Sequence, residues 1–261
     1  MGVATHAPGT FCWVELGTTD KPEARRFYEA LFGWTAQEYP IGPEESYAIV
    51  RQSGRDVGGI YGLRADQRTQ GVPTHWLCYI SVANADAAAA LVVPAGGTLM
   101  GPAFDVGTNG RMAVAADPTG AMFALWQPTG HAGSGVGAVP GSVSWFELAS
   151  TDAAVARTFY TKLFGWSWQE YPGMSYHVAM LGEARVGGLM PLAGDESKAI
   201  PSHWMIYFEV ADCDERANWV ASNGGAVVVP PTDIPSVGRF AVLRDPQGGV
   251  FSIIKSAART S

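Results

Sequence analysis

Residues 11–19, FCWVELGTT, follow the two-residue period of a strand. Asp20 follows as a helix N-cap, and Glu23 stands three positions on, the spacing of a capping box. Ala24, Phe27, Tyr28 and Leu31 then share one helical face, and Gly33 ends the helix. Strand-like stretches are expected near 35–40, 46–52 and 56–63. The pattern restarts at His75 with a strand over 75–82. A short helix capped by Asn84 follows, ended by Pro94 and Gly96-Gly97. Strands are expected near 98–105, 111–116 and 121–127, with Asp117-Pro118-Thr119-Gly120 as the tight turn before the last. The order strand, helix, three strands is therefore written twice.

The whole pattern then recurs. Trp13-Val14-Glu15-Leu16 returns as Trp145-Phe146-Glu147-Leu148, and Leu31-Phe32-Gly33-Trp34 as Leu163-Phe164-Gly165-Trp166. His75-Trp76 returns as His203-Trp204, Gly110-Arg111 as Gly238-Arg239, and Asp117-Pro118 as Asp245-Pro246. Ordered matches along the whole length mark a duplication. The expected organisation is a tail over 1–10, a first domain over 11–128, a linker over 129–141 and a second domain over 142–258. The linker, rich in glycine, lacks Gly-Lys-Ser/Thr and a full GxGxxG, so it reads as a flexible connection rather than a phosphate loop.

Composition narrows the function classes. The 261 residues are 47% hydrophobic and 16% charged, as in globular proteins, and the net charge of −7 comes with no basic cluster. Nucleic acid and anionic membrane are therefore not expected partners. The first ten residues show neither a basic n-region nor an apolar h-region, and no apolar run nears the roughly 18–20 residues that span a bilayer. Cys12, Cys78 and Cys213 are an odd, scattered set, which suggests reduced thiols and a cytoplasmic location.

The element order, the D-P-x-G before the last strand and the Asp seven residues after the first-strand Trp resemble the vicinal-oxygen-chelate superfamily. That superfamily includes glyoxalase I, extradiol dioxygenases and bleomycin-resistance proteins. The tandem form is similar to a glyoxalase-like group often labelled hydroxylases. The resemblance implies an α+β fold of two tandem glyoxalase-like domains, each made of two βαβββ modules whose curved mixed sheets surround a cavity. It also implies metal ligands on the first, fifth and eighth strands of each domain. Those positions hold Trp13, Leu77 and Ala124 in the first copy, and Trp145, Met205 and Ser252 in the second. None is a histidine or carboxylate, so no metal and no cofactor is expected.

Strand parity places Phe11, Trp13 and Glu15, then His75, Leu77 and Tyr79, then Met122, Ala124 and Trp126 on the concave face. The second copy repeats them as Val143, Trp145 and Glu147, His203, Met205 and Tyr207, and Val250, Ser252 and Ile254. Glu15, Glu147, His75 and His203 are the candidate acid–base groups. Trp13, Trp145, Tyr79, Tyr207, Trp126, Arg111 and Arg239 are candidates for holding a ligand. Alternatives stand beside each. The glutamates could pair with Arg111 or Arg239, the histidines could bond backbone at the strand start, and the arginines could close their own loops through Asp105 or Asp233. Tyr47 and Tyr176 could face the cavity, while Trp34, Trp166, Phe27 and Phe159 are core by helical spacing. Two functions lead, ahead of a structural or protein-interaction role for a degenerate scaffold. One is metal-free binding or sequestration of a small organic, antibiotic-like ligand. The other is a glyoxalase-like lyase, isomerase or hydroxylase using Glu15/Glu147 and His75/His203. A monomer acting as a pseudo-dimer, or a homodimer, is expected.

Overall fold

The computed structural model describes residues 6–43, 45–135, 137, 139–195 and 199–257. Residues 1–5 of the expected tail, 136 and 138 of the linker, and 258 lie outside the described residues. The first copy runs β1 (Phe11–Thr18), α1 (Lys21–Phe32), β2 (Thr35–Pro40), β3 (Ser46–Gln52), β4 (Arg55–Gly62), α2 (Ala65–Thr69) and β5 (His75–Ser81). It continues with α3 (Ala85–Val92), β6 (Thr98–Leu99), β7 (Phe104–Val106), β8 (Gly110–Ala116) and β9 (Met122–Pro128). The second copy runs β10 (Val143–Ser150), α4 (Ala153–Phe164), β11 (Ser167–Glu170), β12 (His177–Leu181), β13 (Ala184–Pro191) and β14 (His203–Glu209). It ends with α5 (Cys213–Ser222), β15 (Ala226–Ile234), β16 (Gly238–Arg244) and β17 (Val250–Ser256).

Each copy forms one curved, open mixed sheet. The strand orders are β2-β3-β4-β1-β5-β9-β8-β6, with β7 also on β8, and β11-β12-β13-β10-β14-β17-β16-β15. The expected α+β class holds. β1 runs parallel to β4 and β5 to β9, because a helix or a longer crossover separates them, whereas hairpin neighbours are antiparallel. Asp20 caps α1 by accepting the Glu23 N–H, and Gly33 closes it at φ 70°. The capping box forms only in half: the Glu23 carboxylate turns to Arg26, and the Asp20 N–H donates to Thr18 Oγ1. The strand expected over 98–105 is split into β6 and β7, with Pro102, which has no N–H to donate, in the gap. Helix α2 was not foreseen.

Packing cuts across the copies. One compact unit holds the residues up to Trp13, Leu77–Gly133 and Trp145–Met205; the other holds Val14–Trp76, Ser134–Ser144 and the chain from Ile206. In the second unit the hydroxyl of Tyr28, fully buried on α1, donates to Asp245 Oδ2 at 2.8 Å and accepts from Trp76 Nε1 at 3.1 Å. Asp245 Oδ1 in turn holds the N–H groups of Gln247 and Gly249, which is the task of the D-P-x-G aspartate. Phe32, Trp34, Phe208 and Phe251 close around this network. The first unit repeats it: Trp204 Nε1 donates to Tyr160 Oη at 2.8 Å, and Asp117 faces that phenol. Burial first, and the facing aspartate next, push both tyrosines well above the usual phenol range.

Either side of residues 136 and 138, described parts of the segment between the copies are hydrogen-bonded within their own units, where the glycines suggested a flexible connection. Within the first unit, the N–H groups of Thr129, Gly130 and His131 all reach Asn109 O, and Trp126 Nε1 donates to His131 O at 3.0 Å. Gly133 sits at φ 111°, where a Cβ would collide with Cys12 O. Within the second unit, Trp34 Nε1 donates to Gly141 O at 2.6 Å; in the first, Trp166 Nε1 donates to Gly9 O at 2.8 Å. Pro140-Gly141 thus begins the second copy as Pro8-Gly9 begins the first. Glycine serves close approach here, not freedom.

Candidate functional site

The first strand of each copy carries a carboxylate beside a tyrosine that lies flat against a glycine. In the first unit, β10 and β13 pair so that Glu147 faces Gly188. A Cβ at Gly188 would collide with the Tyr176 hydroxyl, so only glycine lets the phenol lie there. Trp145 Nε1 donates to Tyr176 Oη at 2.9 Å, and Tyr176 donates its proton to Glu147. Burial, then the Glu147 charge, raise the Tyr176 pKa far above the usual phenol range. The phenol stays protonated and holds the half-buried carboxylate in place.

In the second unit the same frame recurs with different dressing. Glu15 faces Gly59 across β1 and β4, and a Cβ at Gly59 would collide with the Tyr47 hydroxyl. Tyr61 pairs with Gly17 in the same register. A Cβ at Gly17 would lie 2.7 Å from Tyr61 Oη and 3.1 Å from His75 Cε1, so the phenol and the imidazole meet over the bare glycine. Burial and the Glu15 charge raise the Tyr61 pKa, against a lowering by its hydrogen bond to Gln67.

Both strand-start histidines bond backbone. His75 Nδ1 lies 2.8 Å from Pro73 O, and His203 Nδ1 lies 2.8 Å from Pro201 O. A carbonyl only accepts, so Nδ1 donates, and in the neutral ring Nε2 is then the acceptor. In the first unit, Trp13, Tyr79 and Trp126 are buried. Trp13 meets the His131 ring edge-on at 4.6 Å, and Tyr79 meets Trp126 at 6.2 Å. In the second, Tyr207 packs on Phe240 at 6.2 Å.

The arginines follow the loop-closing alternative, and Phe11 departs from the parity reading. Arg111 makes a two-pronged ion pair with Asp86 and a second bond to Asp105, and Arg239 does the same with Asp214 and Asp233. These arginines close their loops onto a helix start, with two carboxylates on each guanidinium. Phe11 stacks on Phe146 at 3.9 Å and meets Trp204 at 5.0 Å, so it belongs to the aromatic core and not to the concave face. Tyr61, Gln67 and His131 were missed. Gly17, a glycine inside β1, was the available signal for Tyr61, since a glycine inside a strand marks a close approach.

The ligand positions do not fit a divalent ion. Trp13, Leu77, Ala124, Trp145 and Met205 offer no hard donor, and Ser252 offers only a neutral hydroxyl. Among the described residues no group of three or more His, Cys, Asp or Glu is placed to hold a metal. The buried thiols add no nucleophile, since burial pushes Cys12 up to about 12 and Cys78 higher still. Among the described residues no helix is long and apolar enough to cross a membrane.

The family described as Glyoxalase/Bleomycin resistance protein/Dioxygenase superfamily matches residues 10–125 and 142–253. The chain is 42% identical over 255 residues to the Mycobacterium tuberculosis protein named "Putative glyoxylase CFP32", covering 95% of each chain. It is 35% identical over 263 residues to the Streptomyces peucetius "Anthracycline biosynthesis protein DnrV", covering 95% of this chain and 94% of that one. Among solved structures, a Mn(II)-bound glyoxalase from Novosphingobium aromaticivorans superposes with a TM-score of 0.66 at 15% identity, over 95% of this chain and 82% of that one. The 2,3-dioxygenase LapB from Pseudomonas sp. KL28 does so with a TM-score of 0.66 at 13% identity, over 97% and 94%.

Proposed function

The chain belongs to the Glyoxalase/Bleomycin resistance protein/Dioxygenase superfamily, and from that premise we propose that it binds a small, oxygen-bearing aromatic molecule without a resident metal ion. One observation carries the reading. At the first-strand position where metal-using relatives place a ligand, Trp145 donates to Tyr176, and Tyr176 donates to Glu147. An indole offers a flat face and a single N–H donor but no lone pair for an ion. The carboxylate it helps to hold is a fixed acceptor for a ligand hydroxyl. Tryptophan and tyrosine faces add stacking worth about 0.5–1.5 kcal/mol per pair beyond area burial. The relative named for anthracycline biosynthesis supports a planar, oxygenated polycycle as the ligand class.

A second reading rests on the first copy. With Nδ1 bonded to Pro73 O, His75 Nε2 can take a proton, and Tyr61 and Glu15 stand beside it. That set could move a proton within a bound ligand.

Tryptophan fluorescence separates the readings when the full chain is titrated with quinizarin, a dihydroxylated anthraquinone. Binding should saturate, survive chelator and release quinizarin unchanged by mass spectrometry. About one tightly held ion per copy by elemental analysis, with binding lost on its removal, would refute the metal-free reading. A changed product would move the assignment to the proton-transfer reading.

A further inference from the structure

The copies differ at one coupled pair of positions. In the register between the first and fourth strands, Gly17 faces Tyr61 in the first copy, and Ala149 faces Met190 in the second. The exchange is steric as well as chemical. A Cβ at position 17 would press within 2.7 Å of Tyr61 Oη, closer than real Cβ contacts come, so the phenol requires the glycine. With alanine in that place, the second copy carries a flexible thioether, 38% exposed, that has no hydroxyl to position. The imidazole is common to both, with the same 2.8 Å bond from Nδ1 to a proline carbonyl. At this pair of positions the second copy therefore lacks the phenol.

Tyr61 is also oriented. Gln67 Oε1 accepts the Arg64 N–H at 3.0 Å, which fixes the amide and leaves its NH2 to donate to the Tyr61 oxygen. The Tyr61 proton is then available for a further acceptor. Beside it, His75 Nε2 is an acceptor by tautomer.

We infer that the first copy holds a subsite for a ring hydroxyl, built from Tyr61, His75 and Glu15 over Gly17, and that the second copy lacks it. The ligand class is a phenol or enol: its O–H donates to His75 Nε2, and its oxygen accepts from Tyr61. An aromatic carbonyl compound without hydroxyls satisfies only the Tyr61 donor and leaves the imidazole unmatched. Such an unmatched acceptor is how a polar site rejects a deoxygenated analogue. One chain therefore carries two unlike sites, and the inference rests on the proposed binding function.

Calorimetric titration of the full chain with quinizarin and with unsubstituted anthraquinone tests it, using wild type, Tyr61→Phe, and the reciprocal pair Ala149→Gly with Met190→Tyr. Wild type should bind quinizarin in two classes about tenfold or more apart, a gap of about 1.4 kcal/mol. Tyr61→Phe should remove the tighter quinizarin class. The reciprocal pair should tighten the weaker class and leave the tighter one alone. Equal quinizarin classes in wild type, or a Tyr61→Phe isotherm identical to wild type, would overturn the inference and leave the binding function standing. No saturable binding of either probe to wild type would overturn both. Thermal melts of each variant confirm that the folded chain is being compared.

Discussion

Glu147→Gln keeps the shape of the side chain and removes its charge, so it tests what the Trp145–Tyr176–Glu147 chain is for. The amide oxygen of glutamine still accepts from Tyr176, which still accepts from Trp145 at 2.9 Å. A hydrogen bond to a charged group contributes about 1.5–3 kcal/mol and a neutral one about 0.5–1.5, so about 1 kcal/mol of that bond is lost. Relief of the half-buried charge offsets part of this. The expected fall in Tm is therefore small, at most about 4 °C for a chain of this size. No buried cation is stranded, because Arg111 and Arg239 are held by Asp86 and Asp105, and by Asp214 and Asp233. Quinizarin affinity should nevertheless fall about tenfold or more, because the ligand hydroxyl loses a charged acceptor. Circular-dichroism melting and calorimetric titration read the two effects separately. A stability loss of about 3–5 kcal/mol, the signature of a broken buried ion pair, would make Glu147 a structural residue. Unchanged affinity would remove it from the site.

Tyr28→Phe and Tyr160→Phe each deprive a buried indole N–H of its acceptor, at about 1–3 kcal/mol. Tyr28→Phe should lose more, since Asp245 also loses a donor at 2.8 Å; melting within 1 °C of wild type for both would refute the shared network. Burial raises the Asp245 pKa, so the folded chain binds this proton more tightly than the unfolded one. Its contribution is fully present below the ordinary aspartate value of 3.8 and is lost as pH rises through the elevated folded value. Urea unfolding across that window should show a flatter profile for Asp245→Asn, and parallel profiles would contradict it. Gly133→Ala forces a Cβ against Cys12 O at φ 111° and should destabilise by more than about 1–3 kcal/mol. Gly137→Ala meets open space and should be neutral; equal melting of the two would mean that Gly133 is not held against Cys12.

Elements set by local rules were legible from the residues. Asp20, Asn84, Gly33 and Gly165 mark helix ends through their own side-chain or φ chemistry, and they do so where expected. Parity failed for Phe11, which tertiary packing draws into the stack with Phe146. The arginine loops were half legible. Asp105 and Asp233 lie close in sequence, but Asp86 and Asp214 sit on α3 and α5 and come near only in the fold. Tyr61 and Gln67 stayed hidden because their importance depends on the β1–β4 register, which a single strand does not reveal. The glycines between the copies misled for a related reason: composition shows that a residue can bend, not that another backbone atom presses on it.

Because Tyr28 of the first copy answers to Asp245 of the second, and Tyr160 of the second to Asp117 of the first, neither repeat can be inherited alone. A gene that lost one copy would encode two half-units, each with an aromatic face and a buried aspartate turn awaiting its partner. Mutation at these seams must satisfy both repeats at once, whereas the Gly17–Tyr61 and Ala149–Met190 pairs each answer only within their own repeat. The duplication thus leaves pairs such as Gly17–Tyr61 and Ala149–Met190 free to change in one repeat without answering to the other.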